Sequence, residues 1–288
     1  MRVTTLFLTT NLAVLAMLSV VLQLFNIDNM GDMAALLIFA LIFGMGGSFI
    51  SLAMSKSLAK KMTGAQVIEQ PSNQAESWLV NTVQEQAQAA GIGMPEIAIY
   101  DSPAMNAFAT GMNRDDALVA VSTGLLHGMT QAEVEAVLAH EVSHIVNGDM
   151  VTLALIQGVL NSFIIVLAWV IGLIVDRMIF KNKSGMGIGY FFGSKIAEIV
   201  LVLLASIIVM WFSRQREFRA DAGSARLAGA DKMIQALQRL KKGSTGQLPD
   251  EIAAFGINGS KGKSLIQHLF SSHPPLEKRI EALQQNPY

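Results

Sequence analysis

The sequence predicts a mainly α-helical integral membrane protein with four transmembrane helices and a polar domain that contains a small antiparallel sheet. Of the 288 residues, 52% are hydrophobic and only 15% are charged, whereas about a quarter of the residues in a soluble domain are charged. Four long segments are almost free of charge, and polar sequence lies between the two pairs and after the second. We therefore divide the chain into residues 1–62, 63–149, 150–212 and 213–288.

The first predicted hairpin consists of two uncharged segments, residues 3–27 and 33–55. At 1.5 Å per residue, each is long enough to cross a hydrocarbon layer of about 30 Å. Lys56, Lys60 and Lys61 follow the second segment, and because basic residues are retained in the cytoplasm, both ends of the hairpin are predicted to face that side. A cleaved signal peptide is the alternative, but the apolar run is too long and lacks a small-x-small cleavage site.

The second predicted hairpin is less regular. Residues 150–175 are uncharged, but residues 193–212 include Lys195 and Glu198. This fourth segment spans a bilayer only if those side chains extend to the interface. Basic residues flank it on both sides, so the distribution of positive charge does not decide its orientation. A hairpin that lies in the membrane plane or is buried in protein is the alternative.

The polar segments have the patterns of a globular domain. Alternation and β-rich composition predict three short antiparallel strands, at residues 96–100, 106–110 and 117–122. Apolar residues at helical spacing predict helices at residues 66–90, 220–242 and 275–283. Residues 243–263, rich in Gly, Ser and Lys, are predicted to form loops.

The charge balance and the absence of cysteine exclude several kinds of site. With 21 basic and 22 acidic residues, the chain has no large basic field to bind a nucleic-acid backbone. It contains no cysteine, which excludes disulfides, thiolate metal sites and a cysteine nucleophile. Any metal must therefore be held by histidine and carboxylate side chains.

The motif that points to an activity is His140-Glu141-Val142-Ser143-His144. A capping box that begins at Thr130 predicts a helix here independently of the motif. Residues four apart share one face of a helix, so the two imidazoles can bind a single zinc ion, with Glu141 beside them. Zinc acidifies water and the glutamate accepts its proton, which is the chemistry of peptide hydrolysis. The alternative is a pair of surface histidines.

A third zinc ligand has to come from elsewhere in the chain. Residue 150 is methionine and residue 147 is asparagine, which excludes the metzincin pattern of three histidines. Among downstream carboxylates, Glu198 lies within a predicted span, whereas Glu217 follows that span by about five residues, or about 8 Å of helix. His144 precedes the third span by a similar length. If residues 150–212 form a hairpin, Glu217 returns to the histidines at the same depth.

A second carboxylate accompanies Glu217, and one alternative interpretation of Glu217 exists. Asp221 follows at i+4 on the same helix face, where its carboxylate could orient a ligating imidazole. Alternatively, Glu217 pairs only with Arg214 or Arg216 on a solvated face. The open ligand position favours the role in zinc binding.

Several segments together resemble the membrane zinc metalloproteases of the HtpX type, which are related to the CAAX-processing protease Ste24. These segments are Asn106-Ala-Phe-Ala-Thr-Gly111, Ala139-His-Glu-Val-Ser-His144, Asn147-Gly-Asp149, Ser213-Arg-Gln-Arg-Glu-Phe-Arg-Ala-Asp221 and His273-Pro-Pro275. The resemblance implies a bacterial inner-membrane endopeptidase of the gluzincin type, with one Zn²⁺ per chain and an active site that faces the cytoplasm. It implies Glu217 as third ligand, and quality control of damaged or misassembled membrane proteins under stress as the role.

Two further sites have weaker signals. Asn106, Ala107 and Phe108 are similar to the edge strand on which zincins bind substrate through main-chain pairing, although a core strand fits the pattern equally well. The resemblance suggests His273 as a donor to the tetrahedral intermediate, and the alternative is a loop histidine. His127 and His268 have no such support.

Functions of other classes fit less well. A transporter needs ionisable residues in several spans, but only Glu198 lies well inside one. A zinc-dependent membrane scaffold would not need Glu141. A peptidase that is tethered to the membrane but cleaves soluble substrates remains open, as does the oligomeric state. We therefore expect the lipid bilayer and protein substrates, and no nucleic acid, as partners.

Overall fold

A computed structural model describes residues 3–24, 30–182, 186–243 and 273–286. The chain divides into two compact units. The first unit combines Met1–Ala53 with Val151–Val209, and the second combines Met54–Met150 with Met210–Tyr288. The predicted turn near Asp28 and the predicted loop 243–263, apart from its first residue, lie outside the described residues.

The first unit consists of apolar helices, some of which continue into the second unit. Helix α1 is Val3–Leu24, α2 is Met30–Ala40, a π-helical turn is Leu41–Gly46 and α3 is Gly47–Thr63. Helix α7 is Asp149–Ile174, followed by a π-helical turn at Val175–Ile179, and α8 is Ile188–Ala228. Of these, α3, α7 and α8 also contribute residues to the second unit.

Three helices among the described residues are long and apolar enough to cross a membrane: Ala35–Thr63, Asp149–Ile179 and Ile188–Ala228. They overlap the second, third and fourth predicted spans. The first predicted span corresponds to α1, which is long enough at 22 residues, but only its stretch Phe7–Met17 is described as an apolar helix. Four spans therefore remain a prediction, whereas three helices meet the requirements of length and composition.

A close helix crossing holds the first unit together. A Cβ atom at Gly44 would lie 2.2 Å from Ser162 Oγ, so only glycine fits at this crossing. Ser162 Oγ donates to the carbonyl of Ala40 at 3.1 Å, which satisfies a buried hydroxyl in apolar surroundings. Small residues thus allow α7 to approach the π-helical turn.

The second unit is built on a four-stranded sheet in the order β1-β2-β4-β3. Its strands are β1 Gln66–Val67, β2 Glu96–Tyr100, β3 Ala107–Asn113 and β4 Asp116–Ser122. The β1–β2 and β3–β4 pairs are antiparallel, but β2 and β4 are parallel. The prediction of an antiparallel sheet is therefore wrong for the central pair. Alternation identifies a strand but not its direction, and here β4 pairs with β2 on one side and with β3 on the other.

Five further helices complete the described part of the second unit. They are α4 Gln74–Ala90, α5 Thr123–Gly128, α6 Gln131–Asn147, α9 Ala230–Gly243 and α10 Leu276–Gln285. The predicted helix 66–90 is shorter in the structure, because Asn73 caps α4 by accepting a hydrogen bond from the Glu76 amide. The predicted helix 220–242 is divided at Gly229, whose φ of +102° ends α8.

The core of the second unit lies between the sheet and α6. Val134, Leu138, Val142 and Ile145 are buried at helical spacing and pack with strand residues such as Val119. The predicted capping box is present, with Thr130 accepting from the Glu133 amide and the Glu133 carboxylate accepting from the Thr130 amide. This packing fixes α6, and with it the motif histidines.

Candidate metal centre

The two motif histidines lie one turn apart on α6, with ring centroids 4.7 Å apart and ring planes at 87°. The helix ends directly after them, because Gly148 adopts a left-handed conformation with φ +63° and its amide donates to the carbonyls of the last turn. Glycine reaches this conformation without a steric penalty. The chain therefore turns sharply at Gly148, and α7 begins at Asp149.

Helix α8 brings Glu217 to the histidines. Its Oε2 lies 3.6 Å from Nε2 of His140, and its Oε1 lies 3.5 Å from Nε2 of His144. The ligand atoms of the three residues all lie within 4.8 Å of one another. Both histidines thus present the same ring nitrogen to one carboxylate, which is the arrangement of a three-ligand metal site.

The close approach of α6 and α8 depends on small residues. A Cβ atom at Gly223 would lie 2.3 Å from Ser143 Oγ. One position further on, Ser224 Oγ donates to the Ala136 carbonyl at 2.7 Å. This contact sets the spacing between the helix that carries the histidines and the helix that carries Glu217.

The Glu217 carboxylate fits a bound cation. The residue is 2% exposed, and its buried Oε2 has no hydrogen-bond partner. His273 Nδ1 at 2.8 Å and Arg279 Nη1 at 3.2 Å are close to this oxygen, but neither has the geometry of a hydrogen bond. These two neighbours leave the hydrogen-bonding capacity of the buried oxygen unused, which is unfavourable, and two imidazole nitrogens with one carboxylate are the donors that zinc prefers.

Carboxylates also face the other ring nitrogen of each histidine. Asp221 Oδ1 lies 3.0 Å from Nδ1 of His140, and Asp149 Oδ2 lies 2.6 Å from Nδ1 of His144. Burial acts to lower the pKa of His144, but hydrogen bonds to Asp149 and Glu217 outweigh it and raise the pKa to about 9. The imidazoles therefore sit in a negative potential that favours a bound cation.

Each of these outer carboxylates is held by an arginine. Arg279 from α10 binds Asp221 through two hydrogen bonds, Nε–Oδ2 at 2.7 Å and Nη2–Oδ1 at 2.6 Å. Arg219 Nη2 lies 3.3 Å from Oδ1 of Asp149. Such partners orient the ring and direct its second nitrogen to the metal.

The remaining predicted site residues lie around the same cleft. A cavity wall includes Glu141 together with His140, Glu217 and His273, and also Ala107, the first residue of β3, and Asn106 directly before it. Phe108 points to the opposite face of the sheet, where its ring packs against Tyr100 at a centroid distance of 5.6 Å. Strand alternation separates Phe108 from its neighbours, so the structure brings together all the predicted site residues except Phe108.

Comparison with known proteins identifies the family. The profile of peptidase family M48 matches residues 73–286, which include every residue of the centre. The chain belongs to peptidase family M48. It is 63% identical to "Protease HtpX homolog" of Nitrosomonas europaea over 287 residues, which cover 97% of each chain. It is 60% identical to "Protease HtpX" of Thioalkalivibrio sulfidiphilus, again with 97% of each chain covered. The resemblance inferred from the motifs is confirmed.

A solved structure shows the same fold. Ste24p of S. mikatae superposes with a TM-score of 0.60 and 20% sequence identity over 97% of this chain. This chain spans 64% of the length of that Ste24p chain. Together with the candidate spans, membership of family M48 makes this chain a membrane protein of a metallopeptidase family.

Sequence reasoning missed three residues of this M48 centre. Asp149 and Arg219 lie inside motifs that carry the resemblance, but the sequence pattern predicts no role for them or for Arg279. A signal was available for Asp149, because a carboxylate directly after a metal-binding helix can fold back onto it. The sequence offers no such signal for Arg279, because this residue lies 58 positions after its partner Asp221.

Proposed function

We propose that this chain is a membrane-bound, zinc-dependent endopeptidase of the gluzincin type, with one Zn²⁺ held by His140, His144 and Glu217. The observation that carries the proposal is the convergence of these three side chains, with ligand atoms within 4.8 Å of one another, beside a glutamate in the same cleft wall. A bound zinc ion supplies Lewis-acid chemistry, because it polarises the scissile carbonyl and acidifies water.

In this mechanism Glu141 is the general base. It follows His140 on α6, is half-buried and lines the cleft, so its carboxylate can reach a water molecule at the metal face. Glu141 accepts the proton of that water as the water attacks the carbonyl carbon. It then delivers the proton to the leaving amine, so that one residue serves both halves of the hydrolysis.

Strand β3 and His273 are assigned to the substrate. Strand β3 is at the edge of the sheet, and an extended peptide can pair with its main chain beside Asn106 and Ala107. Phe108 then supports the strand from the opposite face rather than contacting substrate. His273 lies next to Glu217 with a side chain that is 64% exposed, and we assign it as a hydrogen-bond donor to the oxyanion.

The membrane arrangement follows the sequence boundaries. Residues 1–62 and 150–212 are proposed as two transmembrane hairpins, and residues 63–149 and 213–288 as the two parts of the catalytic domain. Lys56, Lys60 and Lys61 lie in the C-terminal half of α3, which supports a cytoplasmic catalytic domain. The relatives named as HtpX proteases come from bacteria such as Nitrosomonas europaea, and we propose the bacterial inner membrane as the location.

The proposed substrates are damaged or misfolded membrane proteins, cleaved as part of quality control under stress. Two features support this assignment. Helix α8, which bears Glu217, is itself a candidate membrane span. An edge strand binds the main chain of a peptide and places little demand on its sequence. An unfolded segment offers such a main chain, whereas a folded protein does not.

The experiment compares zinc content and casein cleavage in detergent for wild type and Glu141→Gln. We expect the variant to retain zinc and to lose proteolysis by about 10²- to 10⁴-fold, because the ligands remain and the base is gone. Glu135→Gln, on the same helix but outside the cleft wall, is the matched control and should cleave as wild type does. Substantial cleavage by Glu141→Gln contradicts the assigned base.

A second comparison tests the third ligand. Glu217→Ala should lose both zinc and proteolysis, since it removes a metal-binding oxygen. Full zinc occupancy in this variant would assign the third position to another carboxylate. Glu198→Ala, within the same helix, is the control and should bind zinc normally.

A further inference from the structure

Helix α7 presents two amide side chains on the outer surface of the first unit. Residues 149–170 are all described, and among them only Gln157 and Asn161 are exposed. The hydrophobic residues of the same stretch are buried or half-buried. Transmembrane helices normally have the reverse arrangement, with polar side chains facing the interior of the bundle. The fold of this chain therefore does not account for the direction of the two amides.

The two amides share one face of α7. They are four residues apart, so they lie about 40° from each other around the helix axis. Neither side chain forms a hydrogen bond with a residue in the described part of the chain. Each amide carries two N–H donors and one carbonyl acceptor. The pair thus presents donors and acceptors side by side.

Buried hydroxyls of the same unit show the contrast. Ser162 Oγ, one residue after Asn161, donates to the Ala40 carbonyl at 3.1 Å. Ser48 Oγ donates to the Gly44 carbonyl at 3.2 Å. A hydroxyl is satisfied by one carbonyl of a neighbouring turn, and both hydroxyls point inward. The outward amides are left to find a partner outside the unit.

Both amides lie within the hydrocarbon layer of the proposed membrane arrangement. The uncharged run begins at Met150, so Gln157 lies about 10 Å and Asn161 about 16 Å along the span. A hydrocarbon layer is about 30 Å thick, which places Asn161 near its centre. The layer contains no water to bond to the amides, and acyl chains have no hydrogen-bonding groups. A partner for the amides must therefore be protein.

A protein partner at this depth is a transmembrane helix that carries a polar side chain. The backbone groups of such a helix are bonded within the helix, so only a side chain is able to pair with the amides. Asparagine, glutamine, serine, threonine and histidine side chains form hydrogen bonds between membrane helices. In a native complex these side chains are buried against their own partners. An unassembled or misfolded membrane protein exposes them to lipid.

Helix α8 provides apolar surface in the same unit. It packs closely against α7 near its own start, where a Cβ atom at Gly172 would lie 2.9 Å from Cβ of Ser194. From residue 198 to residue 209, all of which are described, α8 has no buried residue. Leu203 and Ile208 are 52% and 51% exposed. The unit therefore offers apolar side chains, as well as the two amides, to a helix in the bilayer.

The open face of α7 lacks the glycines that stable helix pairs use. Both glycines of α7 are occupied within the unit, because a Cβ atom at Gly158 would lie 2.7 Å from Met45 Sδ and one at Gly172 would meet Ser194. Membrane helices that associate stably approach each other at such small residues. Hydrogen bonds alone stabilise a helix pair only modestly. A transient occupant thus fits this face better than a permanent second copy of the chain.

We propose that Gln157 and Asn161 form a recognition surface for transmembrane segments that expose a polar side chain near the centre of the bilayer. The inference rests on the proposed function and membrane arrangement, and it adds the feature by which a substrate is recognised: an unsatisfied polar group in lipid. One hydrogen bond between membrane helices changes affinity by about 5- to 30-fold. Recognition is therefore selective and reversible.

The test measures binding of labelled helical peptides of about 20 residues to full-length, zinc-loaded Glu141→Gln in proteoliposomes, by energy transfer. A leucine host peptide with asparagine at its centre should bind about 5- to 30-fold more tightly than the all-leucine host. An asparagine moved to within one turn of the peptide end should give no advantage, because water competes for it at the interface. Equal binding of the central-asparagine and all-leucine peptides overturns the proposal.

Substitutions connect the preference to the amides. Gln157→Leu/Asn161→Leu, in the Glu141→Gln background, should remove the advantage of central asparagine and leave binding of the all-leucine peptide unchanged. Ser206→Leu is the matched control, because it also replaces a polar residue of a candidate span, but the Ser206 hydroxyl already donates to the Leu203 carbonyl at 2.7 Å. A preference retained in the double variant, or lost equally in Ser206→Leu, overturns the proposal. If the double variant does not bind zinc, the comparison of central and terminal asparagine in the parent protein decides.

Two more measurements separate this proposal from a dimer and from the proposed function. Self-association of labelled wild-type copies that the double substitution abolishes would assign the amides to a second copy and overturn the proposal. If zinc-loaded wild type does not cleave casein, the proposed function fails, and the peptide preference still decides the recognition surface.

Discussion

His144 Nδ1 lies 2.6 Å from Oδ2 of Asp149, a fully buried residue five positions later in the chain. The left-handed turn at Gly148 makes this contact possible, because it reverses the chain directly after α6. On the other histidine, Asp221 makes the equivalent contact at 3.0 Å. Each proposed zinc-binding imidazole is thus oriented by a carboxylate from outside the ligand set.

The first prediction concerns Asp149. Replacing Asp149 with Ala should weaken zinc binding by about 10- to 100-fold, because His144 loses the acceptor that orients its ring. Asp149→Asn keeps an acceptor oxygen and should lose less. Affinity is measured by competition with a chromophoric chelator, and the absorption spectrum of the cobalt-substituted protein reports the geometry of the centre. Asp231→Asn, at the exposed first turn of α9, is the control, and wild-type affinity in Asp149→Ala would refute the role.

The second prediction concerns Arg279. Its side chain is 7% exposed and its partner Asp221 is 3% exposed. Arg279→Gln should lower the free energy of unfolding by about 3–5 kcal/mol, because a buried carboxylate loses its cation. The loss is measured by denaturant unfolding in detergent. Lys278→Gln, the exposed neighbour on α10, should change stability little, and equal effects of the two substitutions would contradict the buried pair.

The third prediction uses the continuity of α8, which extends from Ile188 to Ala228 without a break. Inserting two alanines between Ser206 and Ile207 rotates the downstream helix by about 200° and lengthens it by about 3 Å. Membrane insertion should persist, but zinc affinity and proteolysis should both fall, since Glu217 no longer faces the histidines. Zinc binding and cleavage at wild-type levels would show that the proposed hairpin is only an anchor.

A four-alanine insertion at the same site separates depth from rotation. It nearly restores the helix face, at about 400°, but displaces Glu217 by about 6 Å. Recovery of zinc binding would show that the direction of the side chain matters more than its depth. Ser206→Ala controls for the sequence change alone.

The fourth prediction concerns orientation. Single cysteines at Asp28, outside the described residues, and at Ser72, exposed before α4, should react with an impermeant thiol reagent from opposite sides of the membrane. The background is clean because the chain has no cysteine. The lysines at the end of α3 predict Ser72 on the cytoplasmic side. Labelling of both positions from the periplasm would reverse the topology.

Much of this architecture could be predicted from local sequence. Long apolar stretches with few or no charges identified the four segments, and three of them are helices of sufficient length among the described residues. The capping box at Thr130 placed the start of α6, and the spacing of His140 and His144 placed both on one face. These features depend on helical periodicity and on groups within one turn, so neighbouring residues suffice to specify them.

The direction of the central strands and the partners of the histidines were decided by tertiary structure. Parallel pairing of β2 with β4 depends on which strand edges meet, and alternation is the same for either direction. The ion pair between Arg279 and Asp221 joins residues 58 positions apart. Its contribution to stability depends on burial, which sequence spacing does not encode. Sequence therefore determined most of the elements and the two candidate histidine ligands, whereas packing of α6, α8 and α10 decided which carboxylates and cations surround them.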